Sequence, residues 1–567
     1  MAKVISFLKN DRVLSFLRKY PLFLLLIVSG AFITLSVIFP IGDYRCFSGE
    51  CGAGFLPSYR SDSFWHLALA RYAFHSLPFA NPAQTGSPLQ GYNFLSDFII
   101  YLLSFSGLSV VFIYAKVMPL AFQFIFPYLL IRYGLSKSKN PFYIFSLLFF
   151  GYFGSSFAYL LTLYHNGNIY GSSFWQYPSV LALQSGNMLH NMQFANSLLC
   201  LLAAVAFLRE KVSPKKLLVI CLLIFLAVGF KLYGGILACI MFGVKELADF
   251  FQQKKIRQFI FHIGAYVFTF LLAIVVFYDP LHSTASGAIF SAAPLAFSQK
   301  MIEEPRLLYL KNLTNARYFL YAQHSFSPRL LAIELFSIFL FFLFNFGSRS
   351  LALIAAIFQT IRKKLPVEDA AILSAVAVAF IFPLVFVQKG DWYNSLQILF
   401  FGVFLANFLA AGFLFDLWKK KKVWSMALAI IILLLTVPTN LDQIRFWYER
   451  PDIITTDELT ALRFLDKQPL GTVLVPKEEG DLRITAYSGK PLYVGYPQLL
   501  WNTGIDYQER MTTVKNIASH DLTSLDFTYL YLYIREKDQR ALLPLFKKNP
   551  QLTLIYRNPQ IAIFRKK

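Results

Sequence analysis

The chain has 567 residues, of which 56% are hydrophobic, 17% aromatic and only 15% charged. Soluble domains carry about 25% charged residues, so a string of soluble domains is excluded, as are disorder and a fibrous repeat. Fifty-three Lys and Arg against 31 Asp and Glu give a net charge of +22. These cations fall in short clusters between apolar runs of membrane-spanning length, which is the positive-inside pattern rather than a nucleic-acid footprint, and no nucleic-acid partner is expected.

A basic head with Lys9, Arg12, Arg18 and Lys19 precedes the first apolar segment, about 21–40. The segment is long and lacks a small-residue cleavage site, so it reads as a retained helix with its N-terminus in the cytoplasm. Further spans are expected near 109–131, 142–163, 191–208, 217–229, 233–244, 259–278, 330–346, 370–387, 396–417 and 423–438. Threading all eleven puts Lys137 and Lys139, Lys211, Lys215 and Lys216, Lys254, Lys255 and Arg257, Arg362, Lys363 and Lys364, and Lys419 to Lys422 on the cytoplasmic side. Segments 96–107 and 351–361 read as interfacial or re-entrant, so the count is eleven to thirteen. The expected fold is a polytopic α-helical protein of the cytoplasmic membrane over residues 1–440, with outside loops 41–95, 164–190 and 279–329.

In the first of these loops, Cys46 and Cys51 suit either a disulfide in an oxidising compartment or two free thiols. The loop continues into Ser61-Asp62-Ser63-Phe64-Trp65-His66-Leu67-Ala68-Leu69-Ala70-Arg71-Tyr72, whose apolar residues recur at helical spacing. This predicts an amphipathic helix lying along the outer membrane surface, with Asp62 at its N-terminus. A carboxylate there has two readings. It can take a proton from an acceptor hydroxyl that attacks a lipid-linked donor, or it can simply complement the helix end. Arg60 and Arg71 flank this helix and His66 lies one turn on from Asp62. The two arginines suit a lipid phosphate, and equally the snorkelling that places basic side chains at headgroups.

The second loop holds His165 and His190, which have no metal-ligand spacing with any carboxylate. Its Tyr170, Trp175 and Tyr177 suit either sugar stacking or an interfacial aromatic belt. Lys231 lies in Gly229-Phe230-Lys231-Leu232-Tyr233-Gly234-Gly235, between two apolar halves each too short to cross a membrane. A hairpin tip is expected there, with Lys231 either binding a lipid phosphate at membrane depth or snorkelling. Asp43, Glu303, Glu304 and Asp391 are the remaining outside acids that could serve as a second carboxylate or hold a divalent cation. No metal site and no cofactor is assigned.

From about Thr455 the pattern changes to short mixed elements. Thr455-Thr456-Asp457-Glu458 reads as a capping box opening a helix through Phe464. A strand is expected at 471–476, a helix at about 507–518, a β-rich run at 528–534, and a hairpin of 552–556 with 561–564. Residues 455–567 are thus expected to form a small extracytoplasmic α/β domain, a lid or an acceptor-binding module.

With Asp62-Ser63-Phe64-Trp65 in the first loop, Ala68 and Ala70 behind it, and the proline-bearing stretches Leu77-Pro78-Phe79-Ala80-Asn81-Pro82 and Gly86-Ser87-Pro88-Leu89 beyond, the chain resembles the GT-C superfamily of membrane glycosyltransferases. The resemblance covers topology throughout and residues within 58–97. It implies Asp62 as the catalytic carboxylate and a polyprenyl-phosphate sugar donor. The acceptor would be a lipid, glycan or protein at the outer face, with membrane lipids around the protein. The family's second acid is Ser63 here, a departure that an inactive relative would also show. Two other classes carry over as alternatives: a transporter, flippase or polymerase of cell-envelope polysaccharide, and a non-catalytic membrane scaffold. The absence of an internal repeat and the few charged residues within spans count against the first.

Overall fold

The computed structural model describes residues 11–57, 60–173, 180, 185–280, 290–324, 326–388, 392–477 and 481–567, with the side chains of 60, 61 and 185–187 excepted. The chain is mostly helical and divides into two compact units. The first comprises the described parts of Met1–Val37, Leu120–Ile274 and Ala288–Trp447. The second comprises those of Ile38–Pro119, Val275–Gly287 and Tyr448–Lys567. The C-terminal region falls in one unit with the first loop.

All eleven expected spans coincide with helices. Among the described residues six are long and apolar enough to cross a membrane, or eight if each of two bent pairs is one span. The expected spans at 191–208 and 217–229 form helices Met192–Phe207 and Pro214–Phe230, of 16 and 17 residues. The next, Leu232–Gln253, carries Lys245, Glu246 and Asp249 in its second half. Segment 351–361 is not a separate interfacial piece. It continues from Pro328–Phe346 through the turn Gly347–Arg349 into one 34-residue stretch.

Local sequence explains where several of these helices start. Asn140-Pro141, Ser213-Pro214 and Ser327-Pro328 each place a capping side chain just before a proline. In each case the polar side chain accepts a backbone N–H of the first turn, and proline occupies the position where no N–H is needed. In the first unit, Tyr393–Lys419 is the central helix, with 83% of its most apolar window buried. Ile256–Tyr278, with 17%, turns most of its apolar surface outward, as a lipid-facing helix does. At Lys231 the backbone is extended between two helices. Gly235 packs directly against Val228, seven positions back. In a continuous helix those residues would be about 10 Å apart along the axis, so the chain turns back sharply here, as expected.

One polar feature organises this unit. The helices Pro141–Phe153 and Ala158–Asn166 meet at a 51° bend. Arg349, fully buried, fills the break: Nη2 donates to the Ser155 carbonyl at 2.7 Å, Nη1 to Asn407 Oδ1 at 3.0 Å, and Nε to the Phe346 carbonyl at 2.9 Å. A backbone that leaves helical hydrogen bonding inside an apolar bundle needs such replacement partners.

The second unit holds two sheets. Tyr44–Phe47 and Glu50–Phe55 form a hairpin closed by the Cys46–Cys51 disulfide, and Asp452–Thr455 adds as a third antiparallel strand. Gly52 lies against the Ile454 carbonyl with no room for a Cβ, so the close approach of these strands requires glycine there. The C-terminal sheet has four strands in the order Val473–Leu474, Tyr529–Tyr533, Ile561–Lys566 and Leu552–Arg557. The N-cap half of the expected box is present, with Thr455 Oγ1 accepting the Glu458 N–H at 3.2 Å ahead of helix Thr456–Asp466, while the Glu458 carboxylate accepts from Arg483 and Tyr533. Helix Lys537–Lys548 was not expected, because Pro544 stands inside it.

Candidate active site

The helix Arg60–Tyr72 carries the site. It forms as the apolar spacing predicts, but it is not a half-exposed surface helix. Phe64, Trp65, Leu67, Ala68, Leu69 and Ala70 are all buried, enclosed by helices Arg483–Ser488 and Leu95–Ser104 of the same unit. A helix apolar nearly all round is a core helix, and the second unit supplies the cover that the sequence alone assigned to lipid.

Asp62 stands in the first turn, where the helix dipole favours a negative charge, and its side chain is 38% exposed. His66, four residues on, is completely buried, with Nε2 3.7 Å from Asp62 Oδ1. Its other nitrogen, Nδ1, lies 3.1 Å from Oδ1 of Asp97, a buried residue in the first turn of helix Leu95–Ser104. The Tyr114 ring stacks on the imidazole at 6.1 Å and Tyr92 lies tilted at 6.4 Å. The result is a line of carboxylate, imidazole and carboxylate running from the interior to a half-open end at Asp62.

Electrostatics fix the protonation of its centre. Burial, the largest single effect, pushes His66 down. The charges of Asp97 and then Asp62, with the hydrogen bond to Asp97, outweigh it, and the pKa is raised to about 10. His66 is therefore an imidazolium at neutral pH, with each nitrogen turned to a carboxylate. Burial, reinforced by the charges of Asp97 and Asp62, holds the Tyr92 hydroxyl well above its usual range, so it stays protonated. One buried cation between two carboxylates leaves one negative charge, and the exposed member is Asp62. Such a carboxylate, beside a buried imidazolium, can accept a proton from a hydroxyl brought to it.

The acid that the structure brings to His66 beside Asp62 is Asp97, which sequence reasoning missed. Its one signal was an aspartate standing alone at the head of the apolar segment 96–107. The other expected residues are placed as follows. Asp43 pairs with Lys116 at 2.7 Å. Arg71, in the last turn of the same helix, pairs with Asp466 at 2.7 Å. It lies nine residues from Asp62, about 14 Å along the axis. The side chain of Arg60, and Asp391, Trp175 and Tyr177, lie outside the described residues. Glu303, Glu304 and Lys231 belong to the first unit. Glu303 accepts a hydrogen bond from Arg317 and Glu304 caps the C-terminus of helix Ala296–Glu303. Among the described residues no group of three or more His, Cys, Asp or Glu side chains is arranged to hold a metal ion.

No protein-family model matches the chain, and no curated protein matches it. Among solved structures, it aligns with the oligosaccharyltransferase AglB of Archaeoglobus fulgidus in complex with an inhibitory peptide and a dolichol-phosphate, at 12% identity over 97% of this chain and 75% of that one, with a TM-score of 0.44. The apo form of the Archaeoglobus fulgidus enzyme aligns at 11% identity over 96% and 74%, with a TM-score of 0.46. ArnT from Cupriavidus metallidurans bound to undecaprenyl phosphate aligns at 12% identity over 97% and 98%, with a TM-score of 0.40. Both proteins belong to the GT-C superfamily.

Proposed function

We propose that this chain is a membrane glycosyltransferase of the GT-C type. It transfers a sugar from a polyprenyl-phosphate donor to an envelope acceptor at the outer face of the cytoplasmic membrane. The observation that carries this reading is the Asp62–His66–Asp97 line, a half-exposed carboxylate anchored through an imidazolium to a buried one. A residue that only capped its helix would need no second carboxylate behind it.

On this reading Asp62 accepts the proton as the acceptor O–H bond breaks. The acceptor oxygen bonds to the anomeric carbon, and the bond from that carbon to the phosphate oxygen breaks. The polyprenyl phosphate leaves with the electron pair. His66 and Asp97 are positioning residues, holding Asp62 in place without touching the reacting atoms. Arg60, two residues before Asp62 in the chain, remains the donor-phosphate candidate.

The test is transfer in proteoliposomes from labelled polyprenyl-phosphate sugars extracted from the source cells. Asp62→Asn keeps the shape and the capping capacity, so it should lower turnover about 10²- to 10⁴-fold while the protein still folds. Normal turnover in Asp62→Asn would overturn the assignment. Movement of the labelled lipid across the bilayer without transfer would favour a flippase instead.

A further inference from the structure

A cavity of about 690 Å³ opens beside the C-terminal end of helix Arg60–Tyr72, lined wholly by residues of the second unit. Its wall has two chemical halves. One carries three cations, Arg71, Lys116 and Arg463, with Asp43 the only carboxylate. Arg71 is paired with Asp466 at 2.7 Å. Lys116 is paired with Asp43 at 2.7 Å and donates to the Phe39 carbonyl. Arg463, at the end of helix Thr456–Asp466, makes no ion pair among the described residues. Three cations and two carboxylates leave one positive charge over.

The other half is apolar: Ile41, Leu108, Val111 and Phe112. Leu108 and Phe112 are each 45% exposed although large and apolar. They stand at the head of Val110–Lys137, one of the helices able to cross a membrane. A surplus cation beside exposed hydrocarbon, where an apolar helix of spanning length begins, is the chemistry that receives a charged headgroup and its chain. The volume falls within the about 300–1,000 Å³ of ordinary ligand sites.

We infer that this cavity binds the phosphate headgroup of an anionic membrane lipid, with Arg463, Arg71 and Lys116 around the phosphate and Leu108 and Phe112 against its chain. The occupant is not the reacting donor. Arg71 lies nine residues, about 14 Å along the helix axis, from Asp62, too far for a phosphate held there to be the leaving group of a reaction at Asp62. The inference therefore stands apart from the proposed activity.

The test uses the full-length protein in nanodiscs of phosphatidylcholine, with or without phosphatidylglycerol, followed by native mass spectrometry to count retained lipid. The wild type should retain phosphatidylglycerol in preference to phosphatidylcholine. Arg463→Gln should weaken that retention about tenfold, the scale of one charge-assisted contact. Leu108→Asp should abolish it. Both positions are exposed, so melting curves should match the wild type. Asp62→Asn should retain the lipid normally, which separates this site from the transfer reaction. Equal retention of the two lipids, or unchanged retention in Arg463→Gln, would overturn the inference. If inorganic phosphate displaces phosphatidylglycerol while Leu108→Asp binds as the wild type does, the site reads a free phosphate and the lipid assignment fails.

Discussion

Arg349 and His66 are both buried cations, and they solve burial in opposite ways. Arg349 donates to the Ser155 and Phe346 carbonyls and to Asn407 Oδ1, neutral acceptors that close around it. His66 stands between two carboxylates, one buried and one 38% exposed. The first arrangement ends inside the protein and repairs a broken helix. The second ends at a charged atom that solvent or a substrate can reach. Burial of charge is therefore no guide to reactivity by itself; what matters is whether the hydrogen-bonded chain has an open end.

The contrast can be broken by substitution. The largest effect on turnover is expected at the open end, where Asp62→Asn should cost about 10²- to 10⁴-fold per folded molecule. Arg349→Met should do the reverse. It orphans three buried acceptors and should destabilise the protein by about 3–5 kcal/mol, with the surviving folded fraction retaining its turnover. Detergent melting curves together with activity per folded molecule separate the two. A smaller loss, about tenfold, is expected for Asp97→Asn, which removes the charge that most raises His66 and should shift the pH profile toward lower pH. The sign follows from the raised pKa. His66 titrates at about 10 in the fold against about 6.5 unfolded. Its contribution is complete below about pH 6.5 and fades as pH rises through 10. Melting temperature should thus fall across that window in the wild type and much less in His66→Gln. The smallest effect concerns the hairpin: Cys46→Ser reopens a loop of few residues, and about 2 kcal/mol is expected from chain entropy.

Hydropathy was sufficient to place a helix at each of the eleven expected spans, although among the described residues only six, or eight with the bent pairs, are long and apolar enough to cross a membrane. Local chemistry likewise placed the helix bearing Asp62 and the Thr455 cap. What sequence could not show are partners set by packing. Asp97 meets His66 across 31 residues, and no local pattern encodes that meeting. Arg349 lay unnoticed among apolar residues because its acceptors are mostly main-chain carbonyls, which every sequence has. The burial of helix Arg60–Tyr72 was misread for a related reason: an apolar face looks the same whether lipid or protein covers it. Nor does any motif connect Glu50–Phe55 to Asp452–Thr455.

That last pairing has a consequence for biogenesis. Thr456 Oγ1 reaches the Cys51 carbonyl at 3.0 Å across 405 residues of chain. The disulfide hairpin is made early in translation, yet its outer edge stays uncovered until nearly the whole protein has left the ribosome. Closing so long a loop is slow compared with local helix formation, and an unpaired strand edge invites wrong partners meanwhile. A product truncated before Asp452 does not merely lack its tail. It keeps an open sheet edge near its own beginning.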